Sequence, residues 1–211
     1  MVEFNPLGRL VPPLPAPQYS DVDILLASNS PRRRELLGLI VPHFEVAPSK
    51  EIEESYPPTI APDDVPAFLS QLKASAYKSD IKAGQLLITA DTVVILDGKI
   101  MGKPQGCDEA IEMVRALAGR THTVVTGVTL SSLSGKRNDT FSEKTDVTFA
   151  ELTDEEIEQY VLRFKPYDKA GAYGIQEWVG AAAIQGIAGC FYNVMGLPLH
   201  ALYTHLKEFF R

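Results

Sequence analysis

Ile24-Leu25-Leu26-Ala27-Ser28-Asn29-Ser30-Pro31-Arg32-Arg33-Arg34-Glu35-Leu36-Leu37 is the stretch that sets the fold class. An apolar strand over Ile24–Ala27 runs into a short polar turn. Ser30 then supplies an N-cap and Pro31 a first helical residue, so a helix is predicted over Pro31–Leu39. Arg32, Arg33 and Arg34 fall in its first turn, where free N–H groups and the macrodipole are already positive. Guanidinium groups there are disfavoured by roughly 0.3–1 kcal/mol each. Either the arginines point into solvent, or this end of the helix is offered to an anion.

Outward from this strand–helix unit, strand and helix signals keep alternating, which predicts an α/β fold. A proline-containing loop carries Glu51-Ile52-Glu53-Glu54. Val65, Phe68, Leu69, Leu72 and Ala76 repeat at helical spacing, with Asp63 or Asp64 as the cap. Leu86–Leu96 reads as a buried strand, and Asp97-Gly98 as a tight turn leading to Lys99–Met101. Ala110, Ile111, Val114, Leu117 and Ala118 mark a helix ending near Gly119. Thr121–Leu130 reads as a long strand, with a turn at Ser134-Gly135-Lys136 and a return strand over Phe141–Phe149. Thr153-Asp154-Glu155-Glu156 is a capping box that starts a helix reaching about Arg163. Lys165–Gln176 reads as a loop, Ala181–Ile187 with Cys190–Val194 as a final hairpin, and Leu199–Phe210 as a closing helix. No repeat or linker interrupts residues 21–211, so a single domain is expected after a flexible proline-rich extension at residues 1–20.

The 211 residues are 45% hydrophobic and carry a net charge of −7. That length supports one sizeable core, and the acidic balance disfavours a nucleic-acid polymer as partner. The arginine cluster is thus a local positive spot on an acidic body, suited to a small anionic ligand. The two cysteines, Cys107 and Cys190, are far apart in sequence, which fits a reduced, cytoplasmic compartment. The four histidines form no metal-ligand pattern. No run approaches the roughly 20 apolar residues of a membrane span, and the first twenty residues lack the apolar core of a secretory signal.

Asp91 is the second informative residue, a carboxylate inside the otherwise apolar strand Leu86–Leu96. Burying it unpaired would cost several kcal/mol, so it requires a cation, donors or a metal. A structural ion pair and a functional acid facing a cleft both satisfy that need. Lys73 lies about 40° around its helix from Leu69, within reach of Asp91 or of a phosphate; alone it reads as a snorkelling surface lysine. Lys103 follows the Asp97-Gly98 turn, and Lys169 precedes Gly171-Ala172-Tyr173-Gly174. No GxxxxGK[ST], GxGxxG or GxSxG pattern is present. Together the basic groups describe a polyanion site. Asp91, with Glu54 or Glu53, adds acids able to hold a hard divalent cation or orient a water. Hydrolysis of a phosphoanhydride suits that combination.

The same residues resemble the Maf family of nucleoside triphosphate pyrophosphatases. The resemblance begins at Ser28–Leu37 and continues through Ala90–Val94, Gly102-Lys103-Pro104 and Ala118–His122. It closes with Asp168–Gln176 and Val194–Leu199. It implies a Maf/ITPase-like mixed sheet with flanking helices and a deep central cleft, often in a homodimer. It also implies hydrolysis between the α and β phosphates, giving the nucleoside monophosphate and pyrophosphate, with a divalent metal, Mg2+ or Mn2+. Asp91 matches the catalytic acid, with Glu54 and Lys73 at further catalytic positions and Asp91 and Glu54 as metal ligands. Ser28, Ser30, Arg32, Arg33, Lys103 and Lys169 match substrate-binding positions.

Arg32, Thr92 and Gln176 resemble the members acting on dTTP and UTP, and modified pyrimidine triphosphates such as 5-methyl-UTP fall in the same range. A glutamine amide has the donor and the acceptor that an imide edge needs. The segment after Gln176 departs from the family, since Glu177–Cys190 lacks the usual glycine-led pattern. The family's early link to septum formation makes a non-enzymatic nucleotide-binding regulator of cell division the alternative.

Overall fold

The computed structural model describes residues 22–132 and 137–210. Neither the proline-rich extension nor the expected turn at Ser134–Lys136 lies within them. Seven strands form one mixed sheet: β1 (Asp23–Ala27), β2 (Glu45–Val46), β3 (Gln85–Leu96), β4 (Lys99–Met101), β5 (Thr121–Ser132), β6 (Arg137–Phe149) and β7 (Ile184–Ala188). Their order is β2-β1-β3-β5-β6-β7, with β4 also paired to β3. β1 is parallel to β2 and β3, and the remaining pairs are antiparallel. Asp97 and Gly98, with φ of 51° and 72°, make the tight β3–β4 turn.

The helices are α1 (Pro31–Gly38), α2 (Val65–Ala76), α3 (Cys107–Leu117), α4 (Asp154–Phe164), α5 (Trp178–Ala182), α6 (Phe191–Met195) and α7 (Leu199–Phe209). Ser30 caps α1 by accepting from Arg33 N, and Thr153 with Glu156 forms the expected capping box on α4. The carboxylates expected to cap α2 do not: its first turn follows a 3-10 turn at Pro62–Asp64 with no side-chain cap. Asp63 instead binds Lys144 of β6 at 2.5 Å.

The expected final hairpin is not formed. Ile184–Ala188 is a strand, but it pairs with β6, and Cys190–Val194 falls largely in α6. The physical reason lies in Asn193. Its side-chain nitrogen donates to Val124 O of β5 and to Thr145 Oγ1 of β6, pinning a helical turn against the sheet.

Strand alternation sorts β3 into two faces. Leu86, Ile88 and Ala90 pack with Leu36, Leu37, Leu202 and Leu206 of α1 and α7. Val94 and Leu96 join a second core with α3 and α4. Thr92 falls between these two clusters. On the opposite face, Leu87 packs with Ala74 and Tyr77, while Val93 and Ile95 pack with Val65 and Leu69 of α2.

Along one edge of β3, β1 pairs only with residues 85–89 and β4 only with residues 94–96. Between them, residues 90–93 have no strand neighbour on that side. This gap lets Asp91, from one face of β3, and Thr92, from the other, open into the same cleft.

Candidate active site

The cleft sits at the C-terminal end of β1, where Ser28, Asn29 and Ser30 turn the chain into α1. It has a volume of about 750 Å³, its open mouth included. Ser30, Arg32, Arg33, Lys73, Asp91, Thr92, Lys103, Lys169 and Gln176 line it. Ser28 and Glu54 line an adjoining pocket that shares Ser30, Arg32, Arg33, Lys73 and Lys103. Every site residue expected from the sequence therefore lies on one continuous surface, although they come from elements up to 148 positions apart, Ser28 to Gln176. Glu53, the alternative to Glu54, lies in a separate groove with Tyr56 and Phe68. Arg34 is exposed.

Asp91 is 8% exposed. Its Oδ1 lies 2.6 Å from Lys73 Nζ, which also stands 3.0 Å from Glu54 Oε1. The ammonium of α2 thus joins the buried acid to the acidic loop. The approach of α2 is permitted by Gly127, the cross-strand partner of Asp91. A Cβ at Gly127 would lie 2.3 Å from Ala67 N. Lower on the same interface, Ser70 Oγ bonds Thr129, and Thr89 donates to Ser70 O at 2.7 Å.

Arg33 closes the gap in the β3 edge. Its Nη1 donates to Ala90 O at 2.8 Å, its Nε to Gly196 O at 2.8 Å, and its Nη2 to Thr92 Oγ1 at 2.9 Å. Burial pulls this guanidinium below its ordinary pKa, opposed by the charge of Asp91. A guanidinium carries five N–H donors, so these three bonds leave two for a ligand. Thr92 accepts from Arg33 and shares a bond with Thr126 Oγ1 at 2.9 Å. Its hydroxyl is committed to the protein. Gln176, by contrast, is exposed to the cleft.

Sequence reasoning missed the acids that partner the outer cations. Asp168 bridges Arg32 at 2.7 Å and Lys169 at 2.8 Å. Partial burial pushes its carboxyl up, but the hydrogen bonds and charges of Lys169 and Arg32 outweigh that and hold it at about 2. Lys169, buried, also meets Glu177 Oε1 at 3.1 Å. The adjacency Asp168-Lys169 was the only local signal; Glu177 had none. Lys103 is exposed, and among the described residues it forms no ion pair.

Among the described residues, no group of three or more His, Cys, Asp or Glu side chains could hold a metal ion. Asp91 and Glu54 are a pair of hard oxygen donors meeting at Lys73. Such a pair fits Mg2+ or Mn2+, which bind one or two carboxylates and fill the remaining positions with phosphate and water.

The chain is similar to several known proteins. A dTTP/UTP pyrophosphatase of Porphyromonas gingivalis is 54% identical over 188 residues, covering 88% of this chain and 94% of that protein. One from Carboxydothermus hydrogenoformans is 48% identical over 185 residues, covering 88% and 97%. Among solved structures, a HAM1 protein from Coxiella burnetii covers 89% of this chain and 99% of that one, at 16% identity and a TM-score of 0.48. The Maf-like protein family matches residues 23–209, and the chain belongs to that family.

Proposed function

We propose that the chain hydrolyses pyrimidine nucleoside triphosphates, dTTP and UTP, to the nucleoside monophosphate and pyrophosphate. The observation that carries this reading is the meeting of Asp91, Lys73 and Glu54 in one cleft with the arginines at the start of α1. Binding alone would not need a buried acid poised over an anion site. The names of the 48–54% identical relatives support the same substrates.

In this reading, Arg32, Lys103, Lys169 and the two free N–H groups of Arg33 receive phosphate oxygens, with Ser28, Ser30 and the N-terminus of α1. A water attacks the α phosphorus and gives its proton to Asp91. The bond between that phosphorus and the bridging oxygen breaks, and pyrophosphate leaves with the bridging oxygen. Lys73 holds Asp91 in place and offsets its charge. Asp91 and Glu54 would hold a divalent cation, Mg2+ or Mn2+, which supplies neutralisation of the phosphate charge when bound. Gln176 presents its amide to the base, while Thr92 acts through Arg33.

Residues 21–211 are proposed to act as one domain. The cytoplasm is the proposed compartment, where thiols such as the free Cys107 and Cys190 stay reduced. Among the described residues no helix is long and apolar enough to cross a membrane. The family resemblance extends the proposal to a homodimer.

The test is turnover of dTTP and UTP with Mg2+ or Mn2+, with products separated by chromatography. Pyrophosphate and the monophosphate are expected. Orthophosphate and the diphosphate would overturn the bond assignment. Tight binding without turnover under either metal would favour the non-enzymatic regulator instead.

A further inference from the structure

Glu177 follows Gln176 at the point where the sequence departs from the family pattern, and its carboxylate is almost enclosed. Its Oε2 accepts from the Tyr160 hydroxyl at 2.6 Å, and its Oε1 meets Lys169 at 3.1 Å. The Tyr160 oxygen in turn accepts from Gly174 N at 3.0 Å. The carboxylate packs directly on Gly174, where a Cβ would lie 2.9 Å from Glu177 Cδ. A continuous chain of bonds therefore runs from Gly174 through Tyr160 to Glu177 and on to Lys169.

This chain ties residues 169–177 to α4, whose own start is fixed by a capping box. Ile175, on one side of Gln176, is buried in the core, and Glu177 is locked on the other. Gln176 is thus the exposed residue between two anchors. Its backbone has little freedom to rotate the amide away from the cleft.

We propose that Glu177 is a positioning residue for base selection. Through Tyr160 and Gly174 it fixes the loop that aims the Gln176 amide at the pyrimidine edge. The inference rests on the proposed pyrimidine triphosphatase reading. It adds a residue that touches neither phosphate nor base, and assigns Tyr160 as its partner.

Glu177→Gln retains an oxygen for the Tyr160 hydroxyl but weakens the hold on Lys169, whereas Tyr160→Phe cuts the chain and leaves every charge in place. Steady-state kinetics on dTTP, UTP and dCTP are measured for both variants, the wild type, Gln176→Ala and Gln176→Ala/Tyr160→Phe. Thermal unfolding checks that each is folded. For Tyr160→Phe, KM for dTTP and UTP should rise about tenfold, the scale of one lost net hydrogen bond, with kcat within about twofold. The preference for dTTP over dCTP should shrink, and Glu177→Gln should change it in the same direction. In the Gln176→Ala background, Tyr160→Phe should leave that preference where Gln176→Ala alone puts it. A purely structural role would lower stability without moving the preference, and unchanged preference in a folded Tyr160→Phe variant overturns the inference. A wild type that turns over no pyrimidine triphosphate overturns the proposed function as well, which separates the two failures.

Discussion

Lys73 Nζ and Asp91 Oδ1 lie 2.6 Å apart in a pair that is largely sheltered from solvent, with side chains 15% and 12% exposed. The two residues depend on each other. Removing the cation leaves a carboxylate facing apolar strand neighbours, and Glu54 then adds repulsion instead of sharing the ammonium. Lys73→Met should therefore cost on the order of 2–4 kcal/mol of stability. Asp91→Asn should fold well but lose turnover by about a hundredfold or more, since the amide cannot take the proton of the attacking water. Denaturant midpoints and pyrophosphate release check the two halves. A Lys73→Met protein as stable as wild type would show that the pair is not a buried one.

Arg33 is held by three acceptors on two different elements. A lysine has one compact ammonium and cannot span Ala90 O, Gly196 O and Thr92 Oγ1 together. Arg33→Lys should leave at least one of these three acceptors unpaired and lower stability by about 1–3 kcal/mol. It should also lower kcat/KM, because the gap carries Asp91 and Thr92 on its two sides. Full activity with an unchanged melting temperature would mean that the gap holds its shape without the guanidinium.

The parts of this molecule that could be read from sequence are those set by local periodicity and turn chemistry. Ser30-Pro31, Asp97-Gly98 and the Thr153–Glu156 box each act within four residues, and each stands where expected. Asp91 was legible because a lone charge in an apolar strand demands a partner. The final hairpin was misread because short apolar runs such as Cys190–Val194 carry no period that separates a strand from a buried helical turn. The Asp63 cap failed for a different reason, since Lys144, 81 positions away, takes that carboxylate. Arg32–Asp168 spans 136 positions and Tyr160–Glu177 spans 17. Pairings of that kind depend on how helices and loops pack on the sheet and have no local signature.

His122 gives the fold a pH-dependent stability. Its ring is buried against Phe149 and Tyr173, with Nε2 bonded to the Tyr173 hydroxyl at 2.7 Å and Nδ1 without a partner among the described residues. Burial holds its pKa at about 4, against an ordinary 6.5, with a smaller opposing pull from Asp146. The unfolded chain gains a proton as the pH falls through 6.5, but the folded chain does not until about 4. Stability should therefore be fully present above 6.5 and decline down to about 4, by an amount of the order of 3 kcal/mol. His122→Gln, whose amide can still bond Tyr173, should flatten that part of the profile. Urea midpoints at several pH values test it, and an identical slope in the variant would sink the assignment to His122.

Under the proposed mechanism, Gly127 turns a backbone contact into a requirement for turnover. It is the register partner of Asp91, and the Cβ of an alanine there would lie 2.3 Å from Ala67 N and 2.3 Å from the Pro66 carbonyl carbon. Both are backbone atoms in the first turn of α2, so no side chain can swing aside. Relief requires α2 to lift from the sheet. Lys73 sits on the same helix, about 9 Å further along its axis, and a rigid helix carries the shift to it. Gly127→Ala should cost about 1–3 kcal/mol through overpacking. It should also reduce kcat by about tenfold or more, since displacements near 1 Å at a reacting group have effects of that size. Gly186→Ala on β7, where a Cβ meets nothing within 4 Å, is the control and should change neither quantity. If Gly127→Ala loses stability but keeps kcat, the seating of α2 holds the fold together without setting the position of Lys73 against Asp91.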